Sequence, residues 1–80
     1  MTMKVLAFGI VKEIFSGSSI DLEFDNELTV ADVKRKLETQ YPKLKALASY
    51  AVAVNDEYAE NDLVIKDNDE VAIIPPVSGG

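Results

Sequence analysis

The sequence has 80 residues, of which 48% are hydrophobic and 28% charged, a composition that suits one globular domain and is too short for a second core. Its 8 Lys and Arg against 14 Asp and Glu give a net charge of −6, which argues against binding the phosphate backbone of nucleic acid or an anionic membrane surface. Cysteine and histidine are both absent, which excludes thiolate nucleophiles, imidazole acid–base catalysis, Cys/His zinc sites and disulfide staples.

From Met3 to Phe8 the residues Val5, Leu6, Ala7 and Phe8 are apolar on both pleat faces, which predicts a central strand covered on two sides. The apolar run from Val5 to Val11 is broken by Gly9 and followed by Lys12 and Glu13. It is too short and too charged at its end for a signal or membrane segment, so a cytoplasmic location is expected. Residues 10–15 read as one or two helical turns with Ile10 and Ile14 on one face, stopped at Ser16-Gly17-Ser18. Ile20, Leu22 and Phe24 alternate with Asp21 and Glu23, the pattern of a half-buried strand, and Asp25-Asn26 supplies a turn.

Thr29 followed by Asp32 is an N-cap pair, and Val30, Val33, Leu37 and Tyr41 form one apolar stripe up to Pro42. That helix needs a sheet to lie on. Leu44 and Leu47 mark a further short turn of helix within 43–49. Residues 50–54 form a strand, Asn55-Asp56-Glu57 a turn and Tyr58-Ala59 a short return strand, while Leu63, Val64 and Ile65 are expected to add to the core. Asp67-Asn68-Asp69 is a turn before a last strand over 70–74, which stops at Pro75-Pro76. Asp67-Asn68-Asp69-Glu70 lacks the glycine and distant glutamate of a calcium loop, so no metal is assigned to it.

The first and last strands, both apolar on two faces, are expected to pair in parallel at the centre of a mixed sheet. With one main amphipathic helix across that sheet and short extra helical turns, the fold class is α+β and the arrangement the β-grasp of ubiquitin-like proteins. Residues 1–76 form the domain, leaving 77–80 as a flexible tail.

Pro75 and Pro76 fix φ and remove two amide donors, launching Val77-Ser78-Gly79-Gly80 away from the body with a reach of roughly 13 Å. Gly79 and Gly80 lack Cβ atoms and can thread a channel too narrow for other residues. The projected reactive group is then the Gly80 carboxylate, a poor electrophile until ATP and a second enzyme convert it to an acyl-adenylate.

The ending Val71-Ala72-Ile73-Ile74-Pro75-Pro76-Val77-Ser78-Gly79-Gly80, the opening Met3-Lys4-Val5-Leu6-Ala7-Phe8 and Thr29-Val30-Ala31-Asp32-Val33 at the helix start resemble the small subunits of molybdopterin synthase, ubiquitin-like sulfur carriers. The resemblance implies that Gly80 is adenylated by a ubiquitin-activating-like adenylyltransferase and converted to a thiocarboxylate. It implies that the tail, with Gly79, Ser78, Val77, Pro76 and Pro75, enters the large subunit, where sulfur passes to cyclic pyranopterin monophosphate. Phe8, Ile73 and Ile74 are the implied contacts with that large subunit, within a heterotetramer. No cofactor is expected to be bound stably, ATP being used by the activating partner.

With no cysteine to form a persulfide, sulfur has to ride on the carbonyl carbon of Gly80, and acid–base groups have to come from the partner. The chain is a co-substrate more than an enzyme. A sulfur carrier of thiamine synthesis or tRNA thiolation, and a ubiquitin-like modifier joined to target lysines, are the alternatives. Glu13, Asp21, Glu23, Glu57, Glu60 and Asp62 are either an acidic docking face or a solubilising charge. Lys4 and Lys66 are ordinary solvated lysines or contact sites.

Overall fold

Met3, Val5 and Ala7 alternate with Thr2, Lys4 and Leu6 along β1 (Thr2–Ala7), so the strand has one fully buried face. The computed structural model that shows this describes residues 2–25, 27–47, 49–66 and 68–76. The chain continues through α1 (Ile10–Phe15), β2 (Ser19–Glu23), β3 (Leu28–Thr29), α2 (Val30–Gln40), α3 (Pro42–Lys45), β4 (Ala51–Val54), β5 (Glu57–Tyr58), β6 (Val64–Ile65) and β7 (Val71–Ile74). Five strands form one mixed sheet in the order β2-β1-β7-β4-β5, and β3 pairs with β6 in a separate ribbon. β1 and β7 run parallel at the centre, with Val5 opposite Val71 and Ala7 opposite Ile73, and the remaining ladders are antiparallel. This is the β-grasp arrangement.

α2 exists where the sequence places it because Thr29 caps it reciprocally. The Asp32 amide donates to Thr29 Oγ1 at 3.2 Å, and the Thr29 amide donates to Asp32 Oδ2 at 3.1 Å. Val30, Val33 and Leu37 then lie fully buried against Val5, Leu22, Val52, Val71 and Ile73. Pro42 ends the helix pattern and starts α3, whose Leu44 closes the same core. The β4–β5 hairpin turns through Asn55 and Asp56 at φ 53° and 69°, the pair of positive values that a two-residue turn needs. No helix among the described residues is long and apolar enough to cross a membrane.

Two expectations are corrected, for β1 with β7 and for Leu63 with Val64, and two details are added, in α1 and at β3. β1 and β7 are buried on one face only, because α2 covers one side of the sheet and no described element covers the other. α1 buries Val11 and Phe15, leaves Ile14 half-buried and exposes Ile10. Leu63 and Val64 face solvent and only Ile65 of that trio is core, because β6 lies at the outside of a two-stranded ribbon. β3 is an additional strand, too short at two residues to show a period.

Candidate functional site

The parallel register of β1 and β7 brings their C-terminal ends out side by side. Phe8 therefore follows β1 next to the point where Pro75 and Pro76 follow β7. Gly9 makes that proximity possible: it holds φ +55°, and a Cβ built on it would stand 2.9 Å from Pro75 Cγ. The tail root is thus packed against the β1–α1 turn. Val77, Ser78, Gly79 and Gly80, the reactive end implied by the sequence, lie outside the described residues.

On the uncovered face of the sheet, register sets Leu6 opposite Ala72, Ala72 opposite Ala53, and Ala53 opposite Tyr58. Two alanines between larger side chains leave a shallow trough of about 210 Å³, completed by Phe8 and Ile74 and edged by Asp56 and Glu70. Phe8 is 46% exposed and Tyr58 76% exposed, so much apolar area here meets water. Among the described residues no polar or charged side chain is buried, and the titratable groups at the trough, Asp56, Tyr58 and Glu70, are all exposed. The trough is suited to binding a surface.

Of the expected contacts, Phe8 and Ile74 border this trough, Pro75 is half-buried and Pro76 exposed. Ile73 is a correction: it is fully buried opposite Val52 on the α2 side of the sheet, so strand alternation removes it from any surface. The six acidic candidates do not form one face either. Asp21 and Glu23 lie on edge strand β2, whereas Glu57, Glu60 and Asp62 lie on or just beyond β5 at the opposite edge, and Glu13 is on α1. Lys4 is exposed opposite Asp21, and Lys66 is exposed after β6. Leu6, Ala53, Tyr58 and Ala72 were not singled out from sequence. Their signal was the apolar character of both faces in β1 and β7, which in a sheet with one helical layer marks a face awaiting a partner.

The shifted titrations lie away from the trough. Main-chain and side-chain hydrogen bonds from Thr29 hold the Asp32 carboxyl below its usual range. The Lys66 amide and the Asn55 side chain do the same for Asp69, whose two oxygens accept from them at 2.8 and 2.9 Å. Both carboxylate oxygens of Asp69 are engaged in fixing its loop. Burial first, then the hydrogen bond to Glu38, pushes the Tyr50 hydroxyl up. Asp67 lies outside the described residues, and among those described no group of His, Cys, Asp or Glu could hold a metal ion.

The family description "ThiS family" matches residues 5–80. A molybdopterin synthase sulfur carrier subunit of Dictyostelium discoideum is 45% identical over 82 residues, covering 96% of this chain and 94% of that protein. The small archaeal modifier protein 1 of Methanosarcina acetivorans superposes with a TM-score of 0.80 at 26% identity, covering 99% of this chain and 96% of that one. The complex of subunits 1 and 2 of the molybdopterin-converting factor from Helicobacter pylori shares the fold, with a TM-score of 0.70 at 23% identity over 100% of both chains.

Proposed function

The chain belongs to the ThiS family, and on that premise we propose that it is a molybdopterin synthase sulfur carrier subunit, as its relatives in Dictyostelium discoideum and Homo sapiens are named. The Gly80 carboxylate attacks the α-phosphorus of ATP in a separate adenylyltransferase, forming an acyl-adenylate and releasing pyrophosphate. A sulfur nucleophile then displaces AMP and leaves a thiocarboxylate. In the large subunit, cyclic pyranopterin monophosphate takes the sulfur, and water returns the carboxylate. This chain provides the carrier atom and the docking surface, and the large subunit provides the acid–base groups.

The observation that carries this reading is the placement of the tail root. Pro75 follows Ile74 out of the central strand, and Ile74 and Phe8 line the exposed trough, so a partner covering the trough reaches the root of the tail. Burial of an apolar trough is non-directional, whereas the tail supplies the reacting group, which separates holding from chemistry. A name that describes a subunit also supports a second subunit as the occupant.

The test incubates the full chain with its adenylyltransferase, ATP and a sulfur donor, then adds the large subunit and cyclic pyranopterin monophosphate. Intact mass spectrometry is expected to show an oxygen-to-sulfur exchange at Gly80, followed by pterin product and a restored carboxylate. Absence of the exchange, or product from a form lacking Gly80, overturns the reading. The likeness to a small archaeal modifier protein favours a second reading, attachment of Gly80 to target lysines, and the same spectra would then show isopeptide-linked masses.

A further inference from the structure

A groove of about 730 Å³ opens at the end of the sheet farthest from β2, between β5 and β6. Three of the exposed large apolar side chains line it: Tyr58, Leu63 (43% exposed) and Val64 (41% exposed). Its charged lining is Glu57, Glu60, Asp62 and Asp69 against the single cation Lys66. Of these groups only Tyr58 is shared with the trough.

The backbone of the groove is unfinished on both walls. The two-residue turn at Asn55-Asp56 makes Val54 and Glu57 a hydrogen-bonded pair, and the Ala59 amide donates to the Val52 carbonyl at 2.9 Å. Tyr58, between them, therefore turns its N–H and C=O away from β4. The same alternation applies to β6. The Val30 amide donates to the Leu63 carbonyl at 3.0 Å, and Thr29 stands opposite Val64, so Val64 turns its N–H and C=O away from β3. Two strand edges thus present free rungs to one groove, with apolar side chains beside them and negative charge around them. An edge in that state is a template for another strand.

We propose that this groove binds an extended segment of a partner protein, added as a strand and carrying Lys or Arg alternating with apolar side chains. Main-chain bonds to Tyr58 and Val64 hold the segment, and its apolar side chains cover Leu63 and Val64. Its cations meet Glu57, Glu60 and Asp62. Tyr58 belongs to both the groove and the trough, so one partner surface can run from one into the other. The net charge of −6 disfavours a second copy of this chain as the occupant.

The probe is a capped peptide, Lys-Val-Arg-Val-Lys-Val, titrated into the isotope-labelled full chain and followed by amide shifts at low and high salt. Shifts are expected at Tyr58, Ala59, Leu63, Val64 and Lys66 and not at Ala7 or Ile74, with affinity falling roughly tenfold between dilute and 0.3 M salt. The charge-reversed chain carrying Glu60→Lys and Asp62→Lys is expected to lose the response, and the remote Asp21→Lys, Glu23→Lys chain to keep it. A probe N-methylated on alternate amides is expected to bind at least tenfold more weakly. No shift at Tyr58 and Val64, equal loss in the remote variant, or undiminished binding of the N-methylated probe overturns the proposal. None of these readouts involves sulfur transfer, so the outcome is separate from that of the carrier reaction.

Discussion

Gly9 lies against the ring of Pro75, at φ +55° and ψ −132°, with room for a hydrogen and none for a methyl group. Across this contact, the turn after β1 fixes the position of Pro75, the first residue after β7. Gly9→Val places a branched Cβ at a positive φ and within 2.9 Å of Pro75 Cγ. The expected cost is about 1–3 kcal/mol in urea unfolding, together with slower thiocarboxylation of the variant as its tail root is displaced. Gly17→Ala is the control, because the nearest atom to its Cβ is 3.8 Å away, and it is expected to leave both measurements unchanged.

Ile73 and Phe8 separate stability from docking. Ile73→Ala empties a fully buried site and is expected to cost about 2–5 kcal/mol in unfolding. Phe8→Ala removes a side chain that is 46% exposed at the trough, and is expected to weaken large-subunit binding while costing little in the isolated chain. Calorimetric titration beside a urea melt distinguishes the two. Equal loss of stability in both variants would show that Phe8 is a core residue.

Much of this fold was legible because its signals are local. Thr29 with Asp32, the stripe Val30-Val33-Leu37, the alternation Ile20-Leu22-Phe24 and Pro42 each fix a conformation through neighbours in the chain. What was misread depends on what lies across the sheet. Leu6 and Ala72 look like core because apolar residues usually are core, and only the position of α2 shows that their face is uncovered. Ile73 and Ile74 are adjacent and chemically identical, so strand register alone sends one inward and one outward. The free rungs at Tyr58 and Val64 likewise follow from pairing, which residue type does not encode.

The capping box predicts a pH dependence of definite sign. The Asp32 pKa is lowered in the folded state, so its contribution is present above the ordinary carboxylate value of 3.8 and lost as pH falls through the folded value. Asp32→Asn is therefore expected to be less stable than the parent at neutral pH, with the gap closing in acid. Arg35 adds little, since its 3.2 Å pair with Asp32 is solvent-exposed. Thr29→Ala, which removes the other half of the box, is expected to cost about 1 kcal/mol at neutral pH. Urea melts from pH 7 to pH 2 measure both, and a gap for Asp32→Asn that widens in acid would contradict the assignment.

Tyr50 makes the opposite prediction at the other end of the scale. Its hydroxyl donates to Glu38 Oε2, tying the entry of β4 to α2, while Lys34 Nζ stands 5.7 Å from its ring centroid and donates to Asn61 at 2.9 Å. Burial and the Glu38 carboxylate both disfavour the phenolate, so the folded pKa lies above the ordinary 10.0. The hydrogen bond thus stabilises the fold fully below that value and is lost as pH rises through the folded one. Tyr50→Phe is expected to cost about 0.5–1.5 kcal/mol at neutral pH, with the difference from the parent shrinking in alkali. Lys34→Met keeps the hydroxyl bond and is expected to cost less, about 0.5–1 kcal/mol. The absorbance of tyrosinate, compared between the parent and Tyr50→Phe, follows the same group directly. Ionisation of Tyr50 at or below its ordinary value would mean that the bond to Glu38 does not hold α2 to β4.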